Sequence, residues 1–342
     1  MKNSPQAPKA VRIVDIAKTV GVSVSLVSKV LNDRMGKSTV RPELAERIRA
    51  CARDLGYVPN ASARALFFGR SDAVGVFVLC RDLPFRHLHE MFIEGVTKAL
   101  AQGERHLVFH FLHDEASLQR GLMLARQKRV DGIIASGDPN VDADDLFGRL
   151  TATGIPLVST MDVPVSETIS NVGLSQEKVG AVATAHLLER GCRKPAFAYV
   201  PSVAGDLRLN GFKQVLAEAG LPCRAEQIVT VADFDEPRNA VAEAMVALAA
   251  QGIDGVVART DPDAMAIENH LLMAGVRIPK DFRIVGIGDT DICRHAMLPI
   301  SSVSAHDDER SRLGVELLDA AIRGEAPRHL EVEPEVIRRE TT

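Results

Sequence analysis

The chain has 342 residues, of which 46% are hydrophobic, and a formal net charge of −4. That length suits two or three domains, each able to bury a core of its own. The sequence has neither a charged start followed by an apolar run nor a stretch of about 18 or more apolar residues. We therefore expect a cytoplasmic protein with no signal peptide and no membrane partner.

The five cysteines are odd in number, widely scattered and without a C-x-x-C pair. This usage argues against a disulfide framework and against a structural zinc site. We expect buried thiols and no metal.

Charge is unevenly distributed along the chain. Residues 1–70 carry 13 Lys and Arg against 5 Asp and Glu, whereas the remainder is acidic. A basic first segment on an acidic protein predicts that this end binds a polyanion.

The stretch DIAKTVGVSVSLVSKVLND has the spacing of two short helices that cross steeply. Ala17 is small enough for the contact, and Gly21 tolerates a left-handed turn between the helices. Val27 and Val30 would seal the second helix onto the first. A third helix is expected from Pro42, which suits a first helical position. The pattern predicts a three-helix bundle that contains a helix-turn-helix.

The second of these helices presents Val24, Ser25, Ser28 and Lys29 around its N-terminal half. These positions reach base edges and phosphates when such a helix enters the major groove of DNA. The alternative is a plain helical hairpin with a solvated basic face. The spacing and the positive charge favour DNA binding.

Segment 60–66 is too short to form a stable helix by itself in water. Its small residues would let two copies pack closely beside Asn60 and Arg64, while each Leu66 enters a base step of the minor groove. A flexible linker is the alternative interpretation. The position of the segment directly after the bundle favours a DNA-dependent hinge helix.

From residue 73 onward, short apolar runs alternate with helical segments. This rhythm predicts a doubly wound α/β fold, and the number of units favours two parallel-sheet lobes over one wide sheet. Ligands of such folds bind at the carboxyl ends of the strands, here facing a cleft. The runs are AVGVFVL, HLVFHF, DGIIAS, PLVST, PAFAYV, QIVTV, DGVVART and FRIVGIG.

Ordered motifs along nearly the whole chain resemble the LacI/GalR family of bacterial transcription regulators. The motifs are VDIAKTVGVSVSLVSKVLN, LGYVPNASARAL, GRSDAVGVFV, VDGIIAS, HLLERG, RLNGF, RIVGIGD and LPISSV. The resemblance implies a homodimer whose heads bind a pseudo-palindromic operator. It also implies a two-lobed core, similar to periplasmic sugar-binding proteins, that takes a small effector in its cleft.

The resemblance implies a domain organisation in which the chain passes between the lobes more than once. The expected parts are a DNA-binding head at 1–58, a hinge helix and linker at 59–71, a first lobe at 72–170 with about 303–326, and a second lobe at 171–302 with about 327–340.

Several effector contacts follow from the family pattern. Arg208 matches an arginine that binds effector hydroxyls or a carboxylate, and Phe234 matches an aromatic that stacks on the ligand. Asp261 matches the aspartate of the family's A-N-D motif, although Thr260 replaces the asparagine. Asp289 matches the second aspartate of F-D-D.

Other positions depart from the pattern or are less specific. Gly288 replaces the first aspartate of F-D-D, and Arg41 stands where a serine normally caps the third helix, at a cost of about 1 kcal/mol. In LPFRHLHE, Arg86, His87 and His89 are expected in a loop bordering the cleft, where they either contact effector or stay solvated.

The residues favour a sequence-specific DNA-binding regulator, most simply a repressor controlled by a sugar or sugar acid. Loss of one cleft carboxylate favours an anion, and GIGDTDICRH is similar to gluconate-type repressors of the family; a neutral saccharide and a nucleobase are the alternatives. The rivals are a solute-binding protein of periplasmic type and an α/β enzyme. We expect no enzyme, because no nucleophile motif or P-loop is found, and no cofactor, because the glycines near residue 286 lack the dinucleotide fingerprint.

Overall fold

The computed structural model describes residues 11–31, 40–58, 70–79, 86–101, 105–137, 143–231 and 238–342. Contacts divide the chain into two compact units, residues 1–71 and 72–342. The predicted hinge helix, with Asn60, Arg64 and Leu66, lies outside the described residues.

The first unit contains the predicted three helices, α1 (Ile13–Val20), α2 (Val24–Leu31) and α3 (Pro42–Asp54). Gly21 ends α1 in the left-handed conformation, with φ of 77°, and its N–H donates to the carbonyl of Ala17. Arg41 precedes α3 and makes no capping hydrogen bond, because its side chain has no acceptor for the N–H groups at the start of the helix. Ala17, Val27 and Val30, which were predicted to form the contact between α1 and α2, are all buried. The core of this bundle contains Ile16, Ala17, Val27, Val30, Ala45, Ile48 and Ala52.

Two sheets organise the second unit, and both are doubly wound as predicted. The first sheet is parallel, in the order β11-β5-β4-β3-β1-β2. Its strands are β1 (Ala73–Leu79), β2 (His106–Leu112), β3 (Gly132–Gly137), β4 (Leu157–Ser159), β5 (Ser170–Leu174) and β11 (His329–Val332).

The second sheet has the order β12-β10-β9-β8-β6-β7. It is parallel except for β12, which pairs antiparallel with β10. Its strands are β6 (Pro195–Tyr199), β7 (Ile228–Thr230), β8 (Gly255–Val257), β9 (Arg283–Gly288), β10 (Ser301–Ser304) and β12 (Glu335–Ile337).

Helices cover both faces of each sheet. The described helices of this unit are α4 (Arg86–Ala101), α5 (Glu115–Arg126), α6 (Ala143–Thr151), α7 (Gln176–Glu189), α8 (Val203–Glu218), α9 (Arg238–Ala250), α10 (Asp261–Met273), α11 (Ile292–His295) and α12 (Asp307–Ile322). None of the helices within the described ranges is both long and apolar enough to cross a membrane.

Strand β1 shows why the sheet needs helices on both sides. Phe77 and Leu79 pack with α5 and α6, whereas Val76 and Val78 pack with α4 and α12. Successive side chains of a strand point to opposite faces, so an uninterrupted apolar run is stable only when both faces are covered. The run AVGVFVL therefore requires the layered fold.

The chain passes between the lobes three times in the described residues. It leaves the first sheet after β5 to enter α7, which packs on the second sheet. It returns after β10 through α12, which packs on the first sheet, and it crosses again between β11 and β12. Strand β5 runs parallel to both of its neighbours and β10 runs parallel to β9, so the first two crossovers start at the carboxyl ends of the parallel strands of each sheet.

Three of the expected lobe boundaries need correction. Strand β5 belongs to the first sheet, although the second lobe was expected to begin at residue 171. Strand β11 also joins the first sheet, although 327–340 was expected in the second lobe, and β10 lies wholly in the second sheet. The physical reason is that these short strands are assigned to a sheet by their backbone pairing, which their side-chain pattern does not encode.

Helices α7 and α8 touch through their backbones. A Cβ at Gly180 would lie 1.9 Å from the carbonyl oxygen of Arg208, and a Cβ at Gly211 would lie 2.0 Å from the carbonyl oxygen of Glu177. Only glycine allows this approach at either position. The two glycines thus fix how α7 and α8 pack in the second lobe.

We predict that Gly180→Ala lowers the free energy of unfolding by about 1–3 kcal/mol, because the added methyl group overpacks a backbone contact. Gly148→Ala in α6 is the matched control, since a Cβ there meets nothing within 4 Å. The control should gain up to about 1 kcal/mol from helix propensity. Urea unfolding of both variants measures this, and equal stability of the two would contradict the close packing.

Candidate DNA-binding helix and interlobe ligand site

Helix α2 has one buried and one exposed face. Val27 and Val30 are fully buried, whereas Ser25 and Lys29 are exposed and Ser28 is half-buried. Val24 is 42% exposed at the start of the helix. The predicted DNA-contacting residues therefore share the outward face of α2: Val24 and Ser25 lie at its N-terminus, where the helix dipole favours phosphate, and Lys29 lies in its last turn.

Four of the predicted DNA and effector contacts lie outside the part of the chain that the structure describes. Phe234 and the hinge residues Asn60, Arg64 and Leu66 lie outside the described residues, so their roles stay predictions.

The backbone of Arg86, His87 and His89 is described and forms the beginning of α4, not the loop that was expected. The apolar spacing that continues to Ala101 extends the helix back to residue 86.

Arg208 lies where the two sheets meet. Its Nε donates to Oε1 of Gln176 at 2.5 Å, and Gln176 directly follows the turn after β5. A terminal nitrogen of Arg208 donates to the carbonyl oxygen of Arg259 at 3.5 Å, just beyond β8. Both partners of the guanidinium lie close to the crossover: Gln176 begins α7 two residues after the end of β5, and Arg259 lies two residues after the end of β8.

Asp261 is fully buried and serves the interior of the second lobe. Its Oδ1 accepts from the Ser302 hydroxyl at 2.5 Å, and its Oδ2 accepts from the N–H and the hydroxyl of Thr290 at 2.8 and 2.9 Å. Burial raises the pKa of Asp261, although these bonds and that of Cys293 lower it. Both oxygens thus have partners within the lobe, which connect β8, β9 and β10.

Asp289 is also held by its own chain. Its Oδ1 accepts from Arg339 at 2.5 Å, and Arg339 donates to the carbonyl of Ile300 at 2.8 Å. Asp289 adopts a left-handed φ of 52°, which follows the end of β9 at Gly288. Asp289 is therefore tied to the C-terminal segment through Arg339.

A buried ion pair lies beside Arg208. Arg259 donates from Nε and a terminal nitrogen to Asp263 at 2.5 and 3.1 Å, and the side chains are 5% and 0% exposed. Thr260, which replaces the family asparagine, donates to the same carboxylate at 3.0 Å. Thr260 therefore stabilises this pair and caps α10.

On the first-lobe side, the start of α12 carries a second group of charges. Arg310 donates to the carbonyl oxygen of Thr160 at 2.7 Å and lies 3.5 Å from Asp307 and 3.7 Å from Asp162. Burial raises the pKa of Asp307, and the charge of Arg310 opposes that shift. Within the described residues the buried Nε of Arg310 has no hydrogen-bond acceptor.

A cavity of about 220 Å³ opens at the first crossover. Three carboxylates and several apolar side chains line it, which suits hydroxyl groups with an apolar ring face. Its lining residues are Asp162, Val163, Pro164, Leu174, Ser175, Gln176, Glu177, Leu207 and Glu331.

Sequence reasoning missed Gln176, Asp307 and Arg310. The segment DDER reads as acidic residues at a helix N-terminus, so its place at the lobe junction was not recognised. Gln176 had a signal in the sequence: it stands four residues before Gly180, and Arg208 stands three before Gly211. Those spacings put each polar residue one helical turn from a glycine.

Comparison with known proteins shows two matching families. Residues 12–60 match the bacterial regulatory proteins of the lacI family, and residues 184–342 match the periplasmic binding protein-like domain. The HTH-type transcriptional regulator CelR of Thermobifida fusca is 30% identical over 339 residues, covering 95% of this chain and 96% of that protein. GntR of Pseudomonas aeruginosa is 30% identical over 336 residues, covering 96% and 94%.

Two solved structures also match over nearly the whole chain. A complex of the regulator CelR with cellobiose has a TM-score of 0.68 and 26% identity, covering 97% of this chain and 100% of that one. A Lac repressor dimer bound to operator and the anti-inducer ONPF has a TM-score of 0.81, covering 98% and 99%. Its identity is 21%, so this likeness concerns the fold.

These matches define a DNA-binding transcriptional regulator and not an enzyme. The chain belongs to the lacI family of bacterial regulatory proteins. A solute-binding protein of periplasmic type shares the core, but the helix-turn-helix head and the regulator relatives exclude it as the whole function.

We predict that Lys29→Ala weakens operator binding. If Lys29 contacts phosphate, the slope of log affinity against log salt should fall by about one. Titration of fluorescent upstream DNA at several salt concentrations measures both effects. Lys213→Ala, which removes an exposed lysine of α8, is the charge-matched control and should leave the slope unchanged. An unchanged affinity and slope for Lys29→Ala would place that residue away from the interface.

A second prediction concerns the buried carboxyl of Asp307. A raised pKa in the folded state means that stability falls as the pH rises from the ordinary value near 4 through the raised one. Asp307→Asn removes this titration, so its free energy of unfolding should improve relative to that of wild type as the pH rises from about 4 to about 7. Urea unfolding across that range is the measurement. Asp308→Asn, at an exposed neighbour, controls for charge loss, and a pH-independent difference for Asp307→Asn would refute the prediction.

Proposed function

We propose that the protein is a repressor that binds a pseudo-palindromic operator as a homodimer, with its affinity set by a small effector between the lobes. The effector is a sugar or a sugar acid. The observation that carries this proposal is the position of Arg208, which bonds to Gln176, two residues beyond β5 of the first sheet, and to Arg259, two residues beyond β8 of the second sheet. A ligand held by Arg208 contacts both lobes at once and changes the angle between them.

The chemistry of the junction supports a polyhydroxylated ligand. Asp162 and Asp307 are hydrogen-bond acceptors for hydroxyl groups, and the buried Nε of Arg310 is a donor without an acceptor in the described residues. The solved complex of CelR contains cellobiose, which supports a sugar as ligand of the same fold.

The choice of a sugar acid rests on the arginines. An arginine holds a carboxylate in a bidentate pair that a neutral sugar does not reproduce. Gly288 supplies no carboxylate at the end of β9, and the segment GIGDTDICRH is similar to gluconate-type repressors of the family. Asp261 and Asp289, which would repel an anion, are already paired with Ser302, Thr290 and Arg339.

The signal to DNA would follow the covalent path out of the core. A change of lobe angle alters the spacing of the two segments 59–71 in the dimer, and these segments fold in the minor groove only at the correct spacing. In this proposal Asn60 and Arg64 support the hinge contact and Leu66 is the wedge. Val24, Ser25, Ser28 and Lys29 bind the major groove.

Apolar surface supports the dimer. The edge strand β2 leaves Leu107 and Phe109 half-buried, and an open apolar edge is normally covered. In the second lobe Met273 and Met297 are 87% and 76% exposed. Methionines at this exposure suit burial against a second copy of the chain.

Calorimetry with matched pairs, gluconate against glucose and galacturonate against galactose, tests the effector class. We expect the acid of at least one pair to bind more tightly, and Arg208→Ala to lose that preference because the bidentate partner is gone. Arg312→Ala, at an exposed arginine of α12 that pairs with Glu316, is the control and should bind as wild type. Tighter binding of the neutral member in both pairs would reject a sugar acid.

Light scattering at micromolar concentration tests the assembly. The chain has a mass of 37.0 kDa, so a dimer gives about 74 kDa. Replacing Met273 and Met297 together by Glu should shift the mass toward the monomer, because each charge would be buried in the interface. Met123→Glu, at an exposed methionine of α5, is the control. A tetramer, or a dimer unaffected by the double change, would contradict the proposed interface.

A further inference from the structure

We infer that Gln176 is the positioning residue of the ligand cleft: it holds the guanidinium of Arg208 in the orientation that meets the effector. This inference rests on the proposed function, since it assumes that Arg208 binds ligand. It assigns a role to a residue at the beginning of α7 that does not itself need to touch the ligand.

The contact is short and shielded from water. Gln176 is 3% exposed, and its Oε1 accepts from Nε of Arg208 at 2.5 Å. The carbonyl of Arg259 accepts from a terminal nitrogen of the same side chain. Because the guanidinium is planar, acceptors on Nε and on one terminal nitrogen define the direction of the whole group.

Backbone packing determines where the two side chains meet. Gln176 precedes Gly180 by one turn of α7, and Arg208 precedes Gly211 by one turn of α8. Residues three or four apart share a helix face, so both side chains lie on the faces that carry the glycine contacts. The close approach of the helices therefore sets the register of the Gln176–Arg208 pair.

The residue type matters as much as the geometry. An amide oxygen orients a guanidinium with a dipole, whereas a carboxylate at the same place would add a full negative charge beside the ligand. Gln176 thus orients Arg208 without repelling an anionic effector. A Glu at this position would keep the hydrogen-bond acceptor for Arg208 but would repel an anionic effector.

The position of Gln176 also connects the ligand to the lobe junction. It follows Leu174 and Ser175, which end the first passage between the sheets, and Ser175 caps α7 through the N–H of Lys178 at 3.3 Å. A displacement of Arg208 on ligand binding would therefore be transmitted through its hydrogen bond with Gln176 to this crossover. Gln176 is therefore placed to transmit ligand binding to the angle between the lobes.

The first arm of the test needs no effector. The Nε–H signal of Arg208, assigned with Arg208→Lys, is followed by nitrogen-15 NMR in the intact protein. We expect slow hydrogen exchange in wild type and in Gln176→Glu, and at least about tenfold faster exchange in Gln176→Leu, which lacks the acceptor. Gln214→Leu, at an exposed glutamine of α8 that bonds to Glu218, is the matched control. Equal exchange in wild type and Gln176→Leu would overturn the inference.

The second arm measures ligand selectivity by calorimetry with gluconate and glucose. Gln176→Glu should lower the affinity ratio of gluconate to glucose about tenfold, because its charge opposes the ligand carboxylate. A residue with a purely structural role would change both affinities together. An unchanged ratio in Gln176→Glu would overturn the positioning role. If wild type binds neither sugar, the proposed effector class fails, and the exchange result decides the inference by itself.

Discussion

The structure depends on one topological constraint: the chain crosses between two parallel sheets at the carboxyl ends of their strands. A parallel sheet places the last residues of all its strands along one edge. Because β5 and β10 each end at a crossover, the polar residues that follow β4, β5, β8 and β10 gather at a single junction. In the proposed function, the ligand site and the connection between the lobes therefore occupy the same place. A ligand bound there acts on the lobe angle without any further relay.

The charged side chains at this junction fall into two groups, those buried within a lobe and those available to a ligand. Asp261 and Asp263 are fully buried, and each is satisfied inside the second lobe, by Ser302 with Thr290 and by Arg259. Buried carboxylates with complete partners contribute to a unique packing, since removing one partner would leave an uncompensated charge. In the proposed function, ligand binding is then left to Arg208, Arg310 and the carboxylates around them. This division explains how an acidic protein can present arginines to an anion.

The sequence predicted the head and the fold class because both are encoded by periodic side chains. Ala17, Gly21, Val27 and Val30 have roles that only one arrangement satisfies, and the long buried strands are continuous apolar runs. The short strands SNVGL, SSVS and HLEV have no such pattern, so the lobe boundaries near them were wrong. Arg208 was found through the family motif RLNGF. Gln176 and Arg310 were missed because contacts between distant segments depend on helix packing and sheet pairing, which a single sequence does not reveal.

The central claim is that ligand at the lobe junction and operator at the head share one conformational equilibrium. Linkage requires the effect to be reciprocal: the factor by which ligand changes operator affinity equals the factor by which operator changes ligand affinity. The most direct measurement is a pair of titrations, operator binding with and without a saturating amount of the best-bound of the four sugars, and sugar binding with and without operator. The account predicts the same factor in both directions, about fivefold or more. A sugar that binds at the junction while operator affinity stays unchanged would contradict it.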